Sequence, residues 1–309
     1  MSQRGLAPPP LPLSVAVEPR PLIGILLMLA AIGMFSTLDL CAKYLGQRLP
    51  VLEVAWARYF GHFAIMAVFL LPRRGLGLLR TGRPALQITR SLLLLGCTVG
   101  FFLAISYMPL ADAAAIGFIS PLAVTALSVP LLREPVGIRR WSAVAIGFIG
   151  ALIIVRPGLG VVHWAAFVVL AVAFAYALYQ ITTRMLAATD DPLTTLFYSA
   201  LVGAALLTLA VPFVWQTPAE PLEIALMVAV GAIGGFGHYL LIRAHGLTPV
   251  AVLAPLTYTS LLWNTAYGYA FFGDLPDQWT VTGAAILIAT GLYVLYREGV
   301  RRKERVSGD

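Results

Sequence analysis

A few ionisable side chains stand inside long apolar runs, where charge is costly and so marks a task. Asp39 and Lys43 are four residues apart in LDLCAKYL, which stacks them on one helix face. Such a pair either fixes helix packing or opens and re-forms as a gate or a contact for substrate charge. Arg58, in EVAWARYFGHF, lies about two turns into its run with Glu53 and His62 on neighbouring turns. It needs Asp39 or Glu53 as a partner, or a water-filled cavity in which it binds an anionic or carbonyl group. His62 reads as a hydrogen-bonded packing residue that could also titrate. His238 sits in GGFGHY, whose glycines admit a neighbouring helix or a ligand close to the backbone. That stretch lacks the lysine and preceding strand of a phosphate loop. Arg243 and His245 follow as interface anchors.

Aromatic residues form a second group. TYTSLLWNTAYGYAFF holds Tyr258, Trp263 and Asn264, then Tyr267 through Phe272. The later ones fit an interfacial belt, whereas the earlier three lie deeper, where a belt explains them less well. Phe118 and Ser120 occupy the matching positions of an earlier run. An aromatic cleft with a few polar groups suits a flat, ring-bearing metabolite. Only His62 and Glu53 approach the clustering of an acid–base or metal centre, so catalysis, a bound metal and a cofactor are not expected.

The elements that carry these residues are membrane spans. Hydrophobic residues make up 60% of the 309 and charged ones 11%, with a mean hydropathy of +0.87. Soluble domains carry roughly 25% charged residues. About ten runs of some 20 residues fit the chain, near 22–45, 51–71, 88–107, 110–132, 140–155, 163–186, 193–214, 222–243, 249–272 and 279–296. The proline-rich stretch 1–21 reads as a disordered tail and 298–309 as a basic one. Cys41 and Cys97 fall inside apolar runs and read as buried free thiols.

The charges sit in loops. Arg73, Arg74, Arg80, Arg83, Arg133, Arg139 and Arg140 occupy one set of connections; Glu220, Glu223, Asp274 and Asp277 occupy the alternate set, with Lys43, Arg48 and Arg156 as basic exceptions. This places both termini in the cytoplasm and explains the net charge of +7 without a nucleic-acid partner. The run 109–155 returns as 249–295: Pro109 matches Pro249, Ala111 Ala251, Phe118 Tyr258, Ser120 Ser260, Thr125 Thr265 and Glu134 Asp274, all at one spacing. Two five-span halves with cytoplasmic termini must run in opposite senses, an inverted repeat of the kind secondary transporters use. Pro109, Pro249, Pro121 and Pro255 could bend their helices toward a cavity. Pro121 becomes Leu261, so the two bends need not match.

SPLAVTALSVPLLREP, the following span from Trp141 to Gly150, and the second copy ending in FFGD resemble the EamA domains of the drug/metabolite transporter superfamily. The resemblance covers about 22 to 297. It implies an all-α integral membrane protein of ten helices, in inverted repeats at 22–156 and 157–297, in the cytoplasmic (inner) membrane. It also implies a carrier that alternates access for a small metabolite in the bilayer, without ATP. LDLCAKYL and WARYF look most like the subgroup of S-adenosylmethionine and riboflavin uptake carriers, while amino-acid and drug exporters share the scaffold. A coupling ion, a counter-substrate and a homodimer stay open, as does a non-transporting scaffold. The expected substrate-binding or gating residues are Asp39, Lys43, Arg58, Phe118, Ser120, His238, Tyr258, Trp263 and Asn264, with substrate choice sought where the two copies differ.

Overall fold

The computed structural model describes residues 21–133, 136–156, 164–187 and 189–306; the tail 1–20 and Glu134 lie outside them. Its helices are α1 (Pro21–Gly46), α2 (Val51–Arg74), α3 (Pro84–Ile105), α4 (Leu110–Gly117), α5 (Ser120–Leu132) and α6 (Ile138–Val155). There follow α7 (Trp164–Leu186), α8 (Pro192–Ala210), α9 (Pro221–Leu247), α10 (Val250–Leu253), α11 (Ser260–Tyr267) and α12 (Gln278–Val306). Helix is the fold class because an apolar chain in lipid must satisfy its backbone internally. Among the described residues nine helices are long and apolar enough to cross a membrane, α4 with α5 counting as one.

Proline opens α3, α8 and α9, where its missing N–H has no acceptor to lose. Asp191 caps α8 by accepting from the Leu193 amide at 2.7 Å. The Glu223 carboxylate accepts from the amides of Ala219 and Glu220 at the start of α9.

Two stretches are not continuous helix, and they are the two copies of the repeated segment. In the first, α4 ends at Gly117, a tight turn passes through Phe118 and Ile119, and α5 starts at Ser120. In the second, α10 gives way to a 3₁₀ stretch at Ala254–Thr259, α11 starts at Ser260, and a π-turn closes it at Gly268–Phe272. Both copies thus restart at the matched serine. The second copy is the more broken despite carrying Leu261 where the first has Pro121, because Pro255 opens its 3₁₀ stretch. Arg133 (φ 54°) and Gly273 (φ 71°), again matched, end the two copies in left-handed conformation.

The helix pairings come in matched sets. α1 packs on α9 as α7 packs on α3; α2 packs on α9 as α8 packs on α3; α2 meets α8, and α6 meets α12. α4 and α5 contact α7 as α11 contacts α1. Where α2 crosses α9, Gly61 and Gly231 bring the two backbones together, and a methyl group on either would strike the other helix's Cα. Val68, Phe69, Val228, Leu262, Tyr269 and Phe271 are each more than half exposed, which suits contact with lipid tails.

Candidate functional site

Between these pairings lies a cavity of about 410 Å³, walled by α1, α3, α7, α9 and both broken segments, with Arg58 reaching in from α2. Asp39, Arg58, Phe118, Ser120, His238 and Asn264 all line it. The breaks explain how Ser120 and Ser260 both reach it, each at the first residue of a restarted helix.

Arg58 does not pair with either expected carboxylate. Glu53 is fully buried and accepts from the Gln216 amide at 3.0 Å, across the halves. Arg58 instead donates through Nη1 to the Thr98 hydroxyl, and its guanidinium lies 5.1 Å from the Tyr59 ring and 5.8 Å from the Phe102 ring. Thr98 gives its own proton to the Leu94 carbonyl, so it accepts from both Arg58 and the Tyr59 hydroxyl. Arg58 Nε is buried with no partner. Asp39 and Arg58 thus face one cavity without forming an ion pair with each other.

The Asp39–Lys43 pair is also corrected. Helical stacking permits it, but Lys43 finds a stronger partner in the other half. Its Nζ donates to Asp274 Oδ2 at 2.9 Å and to the Met108 carbonyl at 3.0 Å, over the Phe272 ring at 4.5 Å. Nearby, Arg156 pairs with Asp277 at 2.7 Å, a second link between the halves at the same end. Lys43 is therefore outside the cavity, at one end of it.

Tyr258 and Trp263 do not line the cavity either. The Tyr258 ring packs edge-on against Phe118 at 5.0 Å, and its hydroxyl reaches Gly291 of α12, a spot that only a residue without Cβ leaves open. The Trp263 indole covers Gly33 on α1 and is 42% exposed. Helical rotation decides this: in α11, Asn264 turns inward and is buried while its neighbour Trp263 turns out. The aromatic walls come instead from Phe35, Phe101, Phe102, Tyr176 and Tyr179. Asn264 Oδ1 is buried and unpartnered. His238 holds its Nδ1 at the Gly234 carbonyl (2.8 Å), its ring stacked on His62 at 5.2 Å and edge-on to Phe35 at 4.9 Å.

Sequence reasoning passed over Thr98, Tyr176, Tyr179 and Arg90. The last could have been found by the rule that singled out Arg58, since it lies inside the expected span 88–107.

The EamA-like transporter family profile matches residues 22–156 and again 163–297. An S-adenosylmethionine uptake transporter of Rickettsia prowazekii is 30% identical over 89% of this chain and 93% of its own length. A riboflavin transporter of Rhizobium johnstonii is 29% identical over 94% and 97%. A pseudopaline exporter of Pseudomonas aeruginosa is 28% identical over 86% and 93%. One crystal structure shares the fold, with a TM-score of 0.60 at 19% identity over 91% of this chain and 98% of the other. With two matched copies spanning nearly all of its apolar helices, the chain belongs to the EamA-like transporter family, as a multi-pass membrane transporter of small metabolites.

Proposed function

We propose that the protein is a secondary uptake carrier of the cytoplasmic membrane for a ring-bearing metabolite with an anionic or carbonyl group, S-adenosylmethionine or riboflavin being the first compounds to test. In this reading the halves 22–156 and 157–297 form ten crossings in inverted orientation, the broken run 250–272 being the ninth, with both termini cytoplasmic. The arginines between α2 and α3 (Arg73, Arg74, Arg80, Arg83) and between α5 and α6 (Arg133, Arg139, Arg140), against Asp274, Asp277, Glu220 and Glu223 at the Lys43 end, support that orientation. Arg58 takes the anionic or carbonyl group, Asp39 a cationic or hydrogen-donating one, and the aromatic walls take the ring.

The observation that carries the reading is Arg58: a cation deep in an apolar chain, with one hydrogen bond to a neutral hydroxyl and a buried, unused Nε, on a cavity of small-molecule size. Lys43 with Asp274 closes the cavity at one end, and loss of that contact opens it as the halves rock. Substrate, ion or exchange gradients supply the energy.

The test is uptake of radiolabelled S-adenosylmethionine and riboflavin into ATP-free proteoliposomes. Arg58→Gln is expected to abolish uptake with membrane insertion and melting temperature intact; full uptake by that variant removes Arg58 from the site. The exporter relative supports a second reading, in which the same site works outward. Everted vesicles decide between the two by the sign of net flux, and reporters fused to each terminus check the orientation.

A further inference from the structure

A second cation is buried in the membrane-spanning part, and nothing above gives it a task. Arg90 of α3 is 4% exposed and meets no carboxylate among the described residues. Its partners all belong to the other half. Nε donates to the Thr183 hydroxyl (2.7 Å), Nη1 to the Thr195 carbonyl (3.1 Å) and the Ser199 hydroxyl (2.5 Å), and Nη2 to the Tyr179 hydroxyl (2.7 Å). The guanidinium also lies 4.5 Å from the Tyr179 ring. Structural clamping of α7 to α8 accounts for three of these contacts. It does not account for the fourth, because Tyr179 is a wall of the cavity.

The direction of that fourth bond has a chemical consequence. Arginine has donors only, so the Tyr179 oxygen must accept from Arg90. The phenol's own proton is then left to point elsewhere, and no described residue takes it. A hydroxyl that accepts from a cation is polarised into a better donor. Tyr179 is half-buried, with Tyr176 stacked on it at 5.3 Å, so its free side is the cavity. Arg90 and Thr98, which anchors Arg58, are eight residues apart on α3, about 12 Å of helix rise.

We propose that Tyr179, polarised and held by Arg90, is a second recognition point of the cavity: an obligate hydrogen-bond donor for an acceptor oxygen or ring nitrogen of the substrate, distinct from the group bound at Arg58. This rests on the transport reading above. The site then selects solutes that carry an anionic or carbonyl group for Arg58 and a separate neutral acceptor for Tyr179. Tyr179 is a specificity-determining residue, and Arg90, which acts through it, is a positioning residue.

The test is the kinetics of S-adenosylmethionine and riboflavin uptake in proteoliposomes. Tyr179→Phe keeps the ring and its stacking and deletes only the hydroxyl. It is expected to raise KM about tenfold, the usual weight of one hydrogen bond to a charged or polarised group, with maximal rate within about twofold and an unchanged melting temperature. Arg90→Lys is expected to raise KM by a similar factor, and the double variant by no more than either alone. An unchanged KM in Tyr179→Phe overturns the proposal, as does a fall in maximal rate at constant KM, which would make Tyr179 part of the rocking movement. If Arg58→Gln still abolishes uptake in that case, the transport reading stands without Tyr179. A wild-type protein that takes up neither compound overturns the reading for these substrates and this proposal with it. Additive effects in the double variant separate Arg90 from Tyr179 and overturn the positioning role.

Discussion

The Lys43–Asp274 contact is the place to perturb alternating access without touching the cavity. The lysine side chain is 4% exposed and the aspartate 32%. Removing one partner of a fully buried ion pair costs about 3–5 kcal/mol, because the other is left stranded. An exposed pair contributes about 0–1 kcal/mol. With one end buried and the other a third exposed, Asp274→Asn is expected to cost the closed form about 2 kcal/mol. The Met108 carbonyl and the Phe272 ring still hold the ammonium, which keeps the figure below the fully buried value. An open form, in which water reaches Lys43, escapes most of that loss. The closed-to-open ratio therefore shifts by roughly 30-fold, at 1.4 kcal/mol per factor of ten. Cys97, buried on the cavity wall, reports the opening of the cavity, while Cys41, buried away from it, can be replaced by alanine. In that background, a membrane-impermeant maleimide added at the Lys43 end should label Cys97 at least tenfold faster in Asp274→Asn than in the wild type. Added at the opposite end, it should label more slowly. A lower melting temperature with no change in either labelling rate would refute the reasoning: the pair would then stabilise the fold alone.

Three further outcomes are expected. Gly61→Leu or Gly231→Leu places a side chain against the facing backbone at the α2–α9 crossing and should abolish a monodisperse, folded species in size-exclusion chromatography, whereas Gly61→Ala should lower the melting temperature by several degrees. Asp277 is a pH sensor of fold stability. Burial pushes its carboxyl up, but the Thr280 amide and the Arg156 guanidinium outweigh this and hold it below the usual 3.8. A depressed carboxyl stabilises the fold above the unfolded value and loses that stabilisation as pH falls through the folded value, so melting temperature should drop below about pH 4 and Asp277→Asn should flatten that limb. Asp190, held down against burial by the Thr81 hydroxyl and the Gln87 amide, predicts a second contribution with the same sign, removed by Asp190→Asn.

The frame was legible in the sequence, and the detail of the site was not, for a physical reason. Span positions and the repeat follow from hydropathy and from matched residues such as Ser120 and Ser260, which are local properties of the chain, whereas the helix breaks at those serines do not. Which face of a helix turns inward is settled by neighbours that sequence does not name. Asp39 and Lys43 share a face by spacing, yet Lys43 lies in the last turn of α1 and reaches Asp274 in the other half. Trp263 and Asn264 are adjacent, so about 100° of rotation sends one toward lipid and the other into the core. Arg90 was missed differently. Its sequence signal equals that of Arg58, but a cation near the end of a span reads as a snorkelling anchor until its four partners are seen.

Those partners also show why the two halves can share a frame and still make an asymmetric site. Asp39, Lys43, Arg58 and Arg90 all come from the first three long helices. Around the cavity the second half contributes mainly neutral polar groups: Tyr179, His238, Thr257, Ser260 and Asn264. If each half carried one member of several buried ion pairs, every rocking step would separate charges in a medium where that is worst tolerated. A charged half moving against a neutral half exchanges hydrogen bonds instead, each worth about 1 kcal/mol net, and water or substrate can replace the lost partner. Lys43–Asp274, Arg156–Asp277 and Arg74–Asp191 depart from this rule, and they do so at the two ends of the bundle, where water is at hand to solvate the separated charges. The same logic makes moving a charge across the halves a severe perturbation. Asn264→Asp, which places a carboxylate from the second half on the cavity that Arg58 lines, should lock the two halves together and stop uptake while raising the melting temperature. A variant that transports normally would show that the asymmetry of charge has no part in the mechanism.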